Sequence, residues 1–171
     1  MKKILLSLAF TFTCSIFSFA QSSIKGAETF SVNLPVNYQR TIGANDLASA
    51  QWESAIDESF GYIMFENVDE LKLAEVDTDL DQFADLALGD FNELNQYKLI
   101  NSKKFKTKSG KETAQREFSY YDEENDIHFH FLINIYKTKD FVYKMINFGT
   151  NETFKKSKKD FDYIIDNIQL P

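Results

Sequence analysis

Beyond its twentieth residue this chain has no cysteine. The one cysteine in the sequence, Cys14, sits inside an N-terminal apolar run. With that run removed, a thiol nucleophile, a thiolate metal site and a disulfide framework are excluded together. An exported chain of this kind must rest on its packed core. Long apolar runs are equally scarce. Past the first twenty residues no stretch approaches the roughly 20 apolar residues that a transmembrane helix requires. Catalytic signatures are missing as well: there is no G-x-S-x-G elbow, H-E-x-x-H helix, P-loop or G-x-G-x-x-G turn. No carboxylate pair is singled out for glycoside chemistry. No motif asks for a cofactor. These absences argue against an enzyme.

Positive charge is also in short supply. The full chain of 171 residues carries 19 Lys and Arg against 26 Asp and Glu, a net charge of −7. Once Lys2 and Lys3 leave with the leader, 17 basic groups face 26 acidic ones, a net −9. Nucleic acid is thereby disfavoured as a main partner, because phosphate binding rests on cationic surface. Adsorption to an anionic membrane face is disfavoured for the same reason.

What is present begins with a leader. Met1-Lys2-Lys3 is a short cationic start, Ile4 to Phe19 contains a long apolar run, and Ser18-Phe19-Ala20 fits the small-x-small rule for signal peptidase. Cleavage after Ala20 would leave a soluble, exported chain of 151 residues beginning at Gln21, destined for the periplasm or the medium. Lipidation at Cys14 is disfavoured, since Thr13 precedes it and Thr11 stands where a leucine is wanted. The reading is a signal peptide over 1–20, a flexible spacer over 21–27 and one domain over 28–171. No repeat, low-complexity tract or linker divides that domain. The 17 Phe, 8 Tyr and 1 Trp supply a core, although four of the Phe belong to the leader.

Hydrophobic period assigns the elements. Phe30, Val32 and Leu34 alternate with Ser31 and Asn33, a half-buried strand that Pro35 ends. Strands follow at about Leu47–Glu53 and Gly61–Val68. Then Leu80, Phe83, Ala84, Ala87, Phe91 and Leu94 recur at three- and four-residue steps, which predicts a helix of roughly four turns. Thr78 and Asp81 form its capping box, and Gly89 permits a bend. Tyr97–Lys106 and Glu112–Tyr121 flank a turn at Ser109-Gly110. Asp126–Tyr136 and Phe141–Phe148 make a second hairpin. In Asp126–Tyr136 the odd positions are uniformly apolar, whereas His128, His130, Leu132, Asn134 and Tyr136 form a mixed, partly covered face. A helix over Glu152–Gln169 closes the chain. The order β-β-β-α-β-β-β-β-α lacks βαβ alternation, so hairpins should build an antiparallel sheet with helices packed on it.

Phe30-Ser31-Val32-Asn33-Leu34-Pro35, Tyr38 three residues on, a mid-chain helix, a run of hairpin strands and a terminal amphipathic helix resemble the PsbP-like superfamily. The likeness spans nearly all of the mature chain. Val36-Asn37-Tyr38 stands where the opener often carries Gly-Trp or Gly-Tyr. The resemblance implies an α+β fold: an α/β/α sandwich around a central antiparallel sheet of about six to seven strands, with two main helices. It implies binding or assembly work, without chemistry.

Three features are candidate sites. His128 and His130, at i and i+2 on a strand, point to one face with Asp126, and Glu117 could approach from the neighbouring strand; such a pair can clip a metal. Two histidines without an identified third ligand favour an ordinary half-covered sheet face. Asp77-Thr78-Asp79-Leu80-Asp81 resembles the start of a calcium loop, but Gln82 and Leu88 stand where Gly and Glu are needed. Helix capping explains these acids better. The third feature is the layout of charge. From Glu66 to Glu93 lie ten acidic residues and one lysine, whereas the next hairpin carries Lys98, Lys103, Lys104, Lys106, Lys108 and Lys111. Lys155, Lys156, Lys158 and Lys159 cluster near the start of the last helix. Charged outer faces account for such segregation, and its functional reading is a polarised surface that orients another envelope protein. Lys103, Lys104, Lys106, Lys108, Lys111, Lys155, Lys156, Lys158 and Lys159 are the expected partner-binding residues. The alternatives are a carrier of a small apolar ligand, suggested by the aromatic content, and an enzyme of unrecognised type.

Overall fold

Successive hairpins build one long antiparallel sheet, and the computed structural model, which describes residues 22–26, 29–89 and 91–171, buries the central strands of that sheet on both faces. The leader, its cleavage point and Cys14 lie outside the described residues. The elements are β1 (Ser23–Gly26), β2 (Phe30–Asn33), β3 (Gln39–Arg40), β4 (Ala50–Ser54), β5 (Ser59–Asn67), α1 (Val68–Leu73), α2 (Leu80–Leu86), β6 (Lys98–Lys106), β7 (Glu112–Asp122), β8 (Ile127–Lys137), β9 (Phe141–Thr150), α3 (Asn151–Asp166) and β10 (Ile168–Gln169). Seven strands form the main sheet in the order β3-β4-β5-β9-β8-β7-β6, and β1-β2-β10 form a small second sheet.

Two apolar layers sandwich the main sheet. On one face α3 and the small sheet bury Phe30, Val32, Trp52, Leu132, Tyr136, Met145, Phe161 and Ile164. On the other, α1 and α2 bury Leu71, Phe83, Ala84, Phe118, Ile133 and Ile146. This is the expected α+β sandwich. Aromatic stacking ties the second layer together: Phe118 and Phe131 lie 5.1 Å apart, and Phe131 and Phe148 4.9 Å. Each fully buried ring contributes roughly 1.5–3 kcal/mol by removal from water.

Several local readings are corrected. The stretch taken as a spacer contains β1, which pairs with β2 in the register Ser23↔Asn33 to Gly26↔Phe30 and places Ile24 in the core. The mid-chain helix has two turns instead of four. After Ala87 the chain proceeds by three-residue turns, with the N–H of Gly89 bonded to Leu86 O and that of Phe91 to Leu88 O. Gly89, Asn92 and Asn95 are weak helix formers, yet the turns still bring Phe91 to 4.8 Å from Phe118. Asp79, not Thr78, caps α2: its carboxylate accepts from the N–H groups of Asp81 and Gln82. A carboxylate suits the positive end of a helix better than a hydroxyl, and Thr78 Oγ1 instead accepts from Lys137 Nζ at 2.7 Å. The short elements α1, β3 and β10 were not foreseen. The mixed face of β8 is partly covered, as expected: His130, Leu132, Asn134 and Tyr136 are buried on the α3 side, while His128 at its start is exposed.

Candidate partner-docking surface

The lysine-rich hairpin lies at the rim of the main sheet. β6 is its terminal strand, bonded to β7, and every residue of β6 except the half-buried Phe105 is exposed. Alternation about the β6–β7 register divides the lysines between two faces. Lys104 lies opposite Ala114 on the α2 side, and its Nζ approaches Asp81 at 3.6 Å and Asp79 at 3.9 Å. Lys106 pairs with Glu112 at 3.5 Å. Lys103 lies opposite Gln115 on the α3 side, with its Nζ 4.8 Å above the Phe105 ring. At the hairpin tip Lys108 Nζ meets Asp166 at 3.0 Å and Lys111 Nζ donates to Leu170 O at 3.3 Å. The tip is thereby fastened to the end of α3.

The second cluster sits on the first half of α3. Thr150 caps this helix by accepting from the N–H of Thr153. Phe154, Ser157, Phe161, Ile164 and Ile165 form its buried stripe. Lys156 pairs with Glu152 at 2.7 Å and Lys158 with Asp162, both one turn apart. Lys155 and Lys159 are exposed and have no ion-pair partner among the described residues. At 1.5 Å rise per residue, Lys158 stands roughly 12 Å up the axis from Asp166. The structure therefore keeps the clusters as two patches. Exposed pairs of this kind contribute little to stability, about 0–1 kcal/mol each, so the lysines are free to exchange partners.

Half-buried and buried polar contacts hold α3 in place beneath these lysines. Asn37 Nδ2 donates to Asp57 at 2.8 Å and to Asp160 at 2.9 Å, linking the loop after β2 to the β4–β5 turn and to the helix. Tyr38 and Ser157 both meet Ser59 Oγ, at 2.7 and 2.8 Å. Burial pushes the Tyr38 hydroxyl pKa up, against the lowering effect of these bonds.

The histidines do not converge on a shared point. His130 is buried, its ring stacked 3.8 Å from Phe154, with Nε2 2.9 Å from Glu117 Oε1. His128 is exposed beside Tyr121, whose hydroxyl donates to Asp126 at 2.6 Å. Glu117 does approach from β7, but it engages one histidine alone. Among the described residues no cluster of three or more His, Cys, Asp or Glu could hold a metal. The acids of the calcium-like stretch serve the backbone: Asp77 accepts from the N–H of Asp79 at 2.7 Å, and Asp79 caps α2. The N–H groups of Gln82 and Asp81 hold the Asp79 carboxyl below its usual range.

Two features were missed at the level of sequence. Arg116 on β7 is 3% exposed, and its guanidinium reaches Asp85 at 2.8 Å and Asp81 at 3.3 Å. A lone arginine in an alternating strand gave no sign of which helix it would meet. The other is the exposure of β6. The run Asn101-Ser102-Lys103-Lys104 lacks an apolar face, and that was the available signal of an edge strand.

Comparison with known proteins gives the fold. No family model and no curated protein matches the chain. Solved structures do. Cyanobacterial PsbP (CyanoP) from Synechocystis sp. PCC 6803 aligns with a TM-score of 0.62 and 12% identity, over 92% of this chain and 96% of that one. LpqN of Mycobacterium tuberculosis, described as involved in cell envelope biogenesis, aligns at 0.57 and 10%, over 89% and 91%. A protein of unknown function, PA94 from Pseudomonas aeruginosa, aligns at 0.53 and 9%, over 88% and 96%. The chain thus has the PsbP-like fold along nearly its whole length.

Proposed function

We propose that this protein is an exported, non-catalytic binding factor that docks onto another protein of the cell envelope through its lysine-bearing surface. The observation that carries the reading is the presentation of Lys155 and Lys159, unpaired among the described residues, beside Lys156 and Lys158 on the outer side of a firmly anchored helix. On a chain of net charge −7 such a patch is a local exception. It would steer an acidic partner by attraction that fades with salt. The leader-like N-terminus supports export, and the fold shared with CyanoP and with the envelope-biogenesis protein LpqN supports a role in binding or assembly. The apolar-carrier alternative is less well supported. Phe91, Phe118, Phe131 and Phe148, which could have lined a ligand cavity, stack on one another instead.

The test is to isolate the partner by co-purification from the native envelope, then reverse Lys155, Lys156, Lys158 and Lys159 to Glu. The buried stripe of α3 is untouched, so circular dichroism should report an intact fold. Association should slow roughly tenfold or more at low ionic strength, and wild-type association should slow as salt rises. An association rate indifferent to both salt and reversal would overturn electrostatic docking.

A further inference from the structure

The main sheet has two ends, and they are finished differently. At one end β3 has two residues, too short to template another strand. At the other, β6 presents nine residues with a single strand neighbour among the described residues. A long edge offers a row of unpaired N–H and C=O groups to any extended chain. Here charge guards it: the strand contains Lys98, Lys103, Lys104 and Lys106 and no acid. That guard is selective. Pairing two copies of β6 would bring the four lysines of each strand together with no acid on either, and like charges held close repel. An acidic strand meets no such barrier.

The bulge sharpens the pattern. Pairing with β7 shifts between Leu99 and Asn101, leaving Ile100 as the extra residue. Lys98 lies opposite Ser119 and Lys103 opposite Gln115, four residues apart on β7. Although five apart in sequence, the two lysines therefore share one face of the sheet, the α3 side, with Asn101 between them and Phe105 beyond. Neither has an ion-pair partner among the described residues, whereas Lys104 and Lys106, on the opposite face, already have acids of their own. Leu99 faces the α2 side, and Leu99 and Ile100 are each 45% exposed, an apolar step at the start of the edge.

We propose that β6 is a docking edge for an acidic extended segment of a protein partner, which adds to the sheet as one more strand. Backbone bonds hold it, as in other strand additions. Carboxylates on one face of the added strand meet Lys98 and Lys103, and apolar side chains on its other face cover Leu99 and Ile100. This rests on the docking reading above and specifies one mode of it.

The test is an NMR titration of the 15N-labelled protein with a short acetylated peptide alternating glutamate and valine, beside the same peptide N-methylated at alternate backbone amides. The proposal expects shifts and slowed hydrogen exchange confined to the amides of Lys98–Lys106 with the first peptide and loss of binding with the second. Lys98→Glu with Lys103→Glu should weaken the first peptide about tenfold, as two attractive cross-strand pairs become repulsive. Equal binding of both peptides would overturn strand addition and leave charge-based docking standing. Binding centred on α3 would do the same. No response at β6 to either peptide would overturn the proposal, while the lysine reversal on α3 separately decides the docking reading.

Discussion

Arg116 provides the sharpest test of what holds the α2 layer to the sheet. Its guanidinium is buried, with Nε donating to Asp85, one terminal nitrogen donating to both the carboxylate and the carbonyl of Asp81, and the other donating to Gln115 O at 3.1 Å. The two carboxylates are far more exposed, 46% and 67% against 3% for the arginine. That asymmetry decides the outcome of deletion. Removing both acids with Asp81→Ala and Asp85→Ala leaves a buried cation without a counter-charge. Each charge-assisted bond contributes about 1.5–3 kcal/mol, and orphaning a buried charge costs about 3–5 kcal/mol. The two carbonyl acceptors remain, so a loss near the lower bound, about 3 kcal/mol, is expected. Replacing the cation with Arg116→Met returns both carboxylates to water and keeps most of the volume, so a cost of about 1–2 kcal/mol is expected. For a chain of this size the double acid variant should lower Tm by roughly 6–12 °C. Urea unfolding followed by circular dichroism measures all three proteins. If Arg116→Met proves as damaging as the double acid variant, the ion pair itself stabilises the fold and the reasoning from burial asymmetry fails.

Five further outcomes are expected. A Cβ at Gly61 would sit 2.2 Å from Trp52 Nε1 and 2.6 Å from Asn147 Oδ1, so Gly61→Ala should cost at least about 2 kcal/mol and shift the fluorescence of the single tryptophan; an unchanged spectrum with unchanged stability would refute that packing. Burial pushes the hydroxyls of Tyr136, Tyr38, Tyr62 and Tyr143 above their ordinary value near 10. The folded state then keeps protons that the unfolded state releases, so stability should be fully present below about pH 10 and fall as pH rises beyond it, less steeply in Tyr136→Phe; a parallel pH profile in that variant would count against the assignment. His130→Ala should cost about 1–2 kcal/mol through loss of its stacking on Phe154 and its bond to Glu117, while His128→Ala should be close to neutral. Elemental analysis of protein purified without chelators should find no stoichiometric metal, and zinc or manganese lost in the double histidine variant would reverse that reading. Intact mass of the exported protein should correspond to a chain starting at Gln21, and a lipid-modified Cys14 would place it on a membrane instead.

Much of the fold was legible because it depends on local period. The uniformly apolar odd positions within Asp126–Tyr136 and the helical spacing of Phe154, Phe161, Ile164 and Ile165 are patterns set by residues near one another in the chain. The lysine clusters and the acidic stretch were equally plain, since charge is read directly from composition. What stayed hidden depended on neighbours distant in sequence. Ser23–Gly26 has little strand character of its own and becomes a strand because Phe30–Asn33 offers it an edge. Leu80–Leu94 has the stripe of a long helix, but tight turns satisfy the same contacts between Phe91 and the sheet. The hairpin lysines read as one cationic block, whereas sheet pairing sends Lys103 and Lys104 to opposite faces and the bulge at Ile100 returns Lys98 to the side of Lys103.

The sequence by itself determined the types of the main elements, the hairpin order, the apolar stripes and the uneven charge, because each is set by residues within a few positions of one another. Tertiary structure alone decided which strand lies at the edge, which helix covers Arg116, which histidine is buried and which lysines share a face. Those properties depend on strand order, and strand order is fixed by packing energies summed over residues as far apart in sequence as Val32 and Ile168.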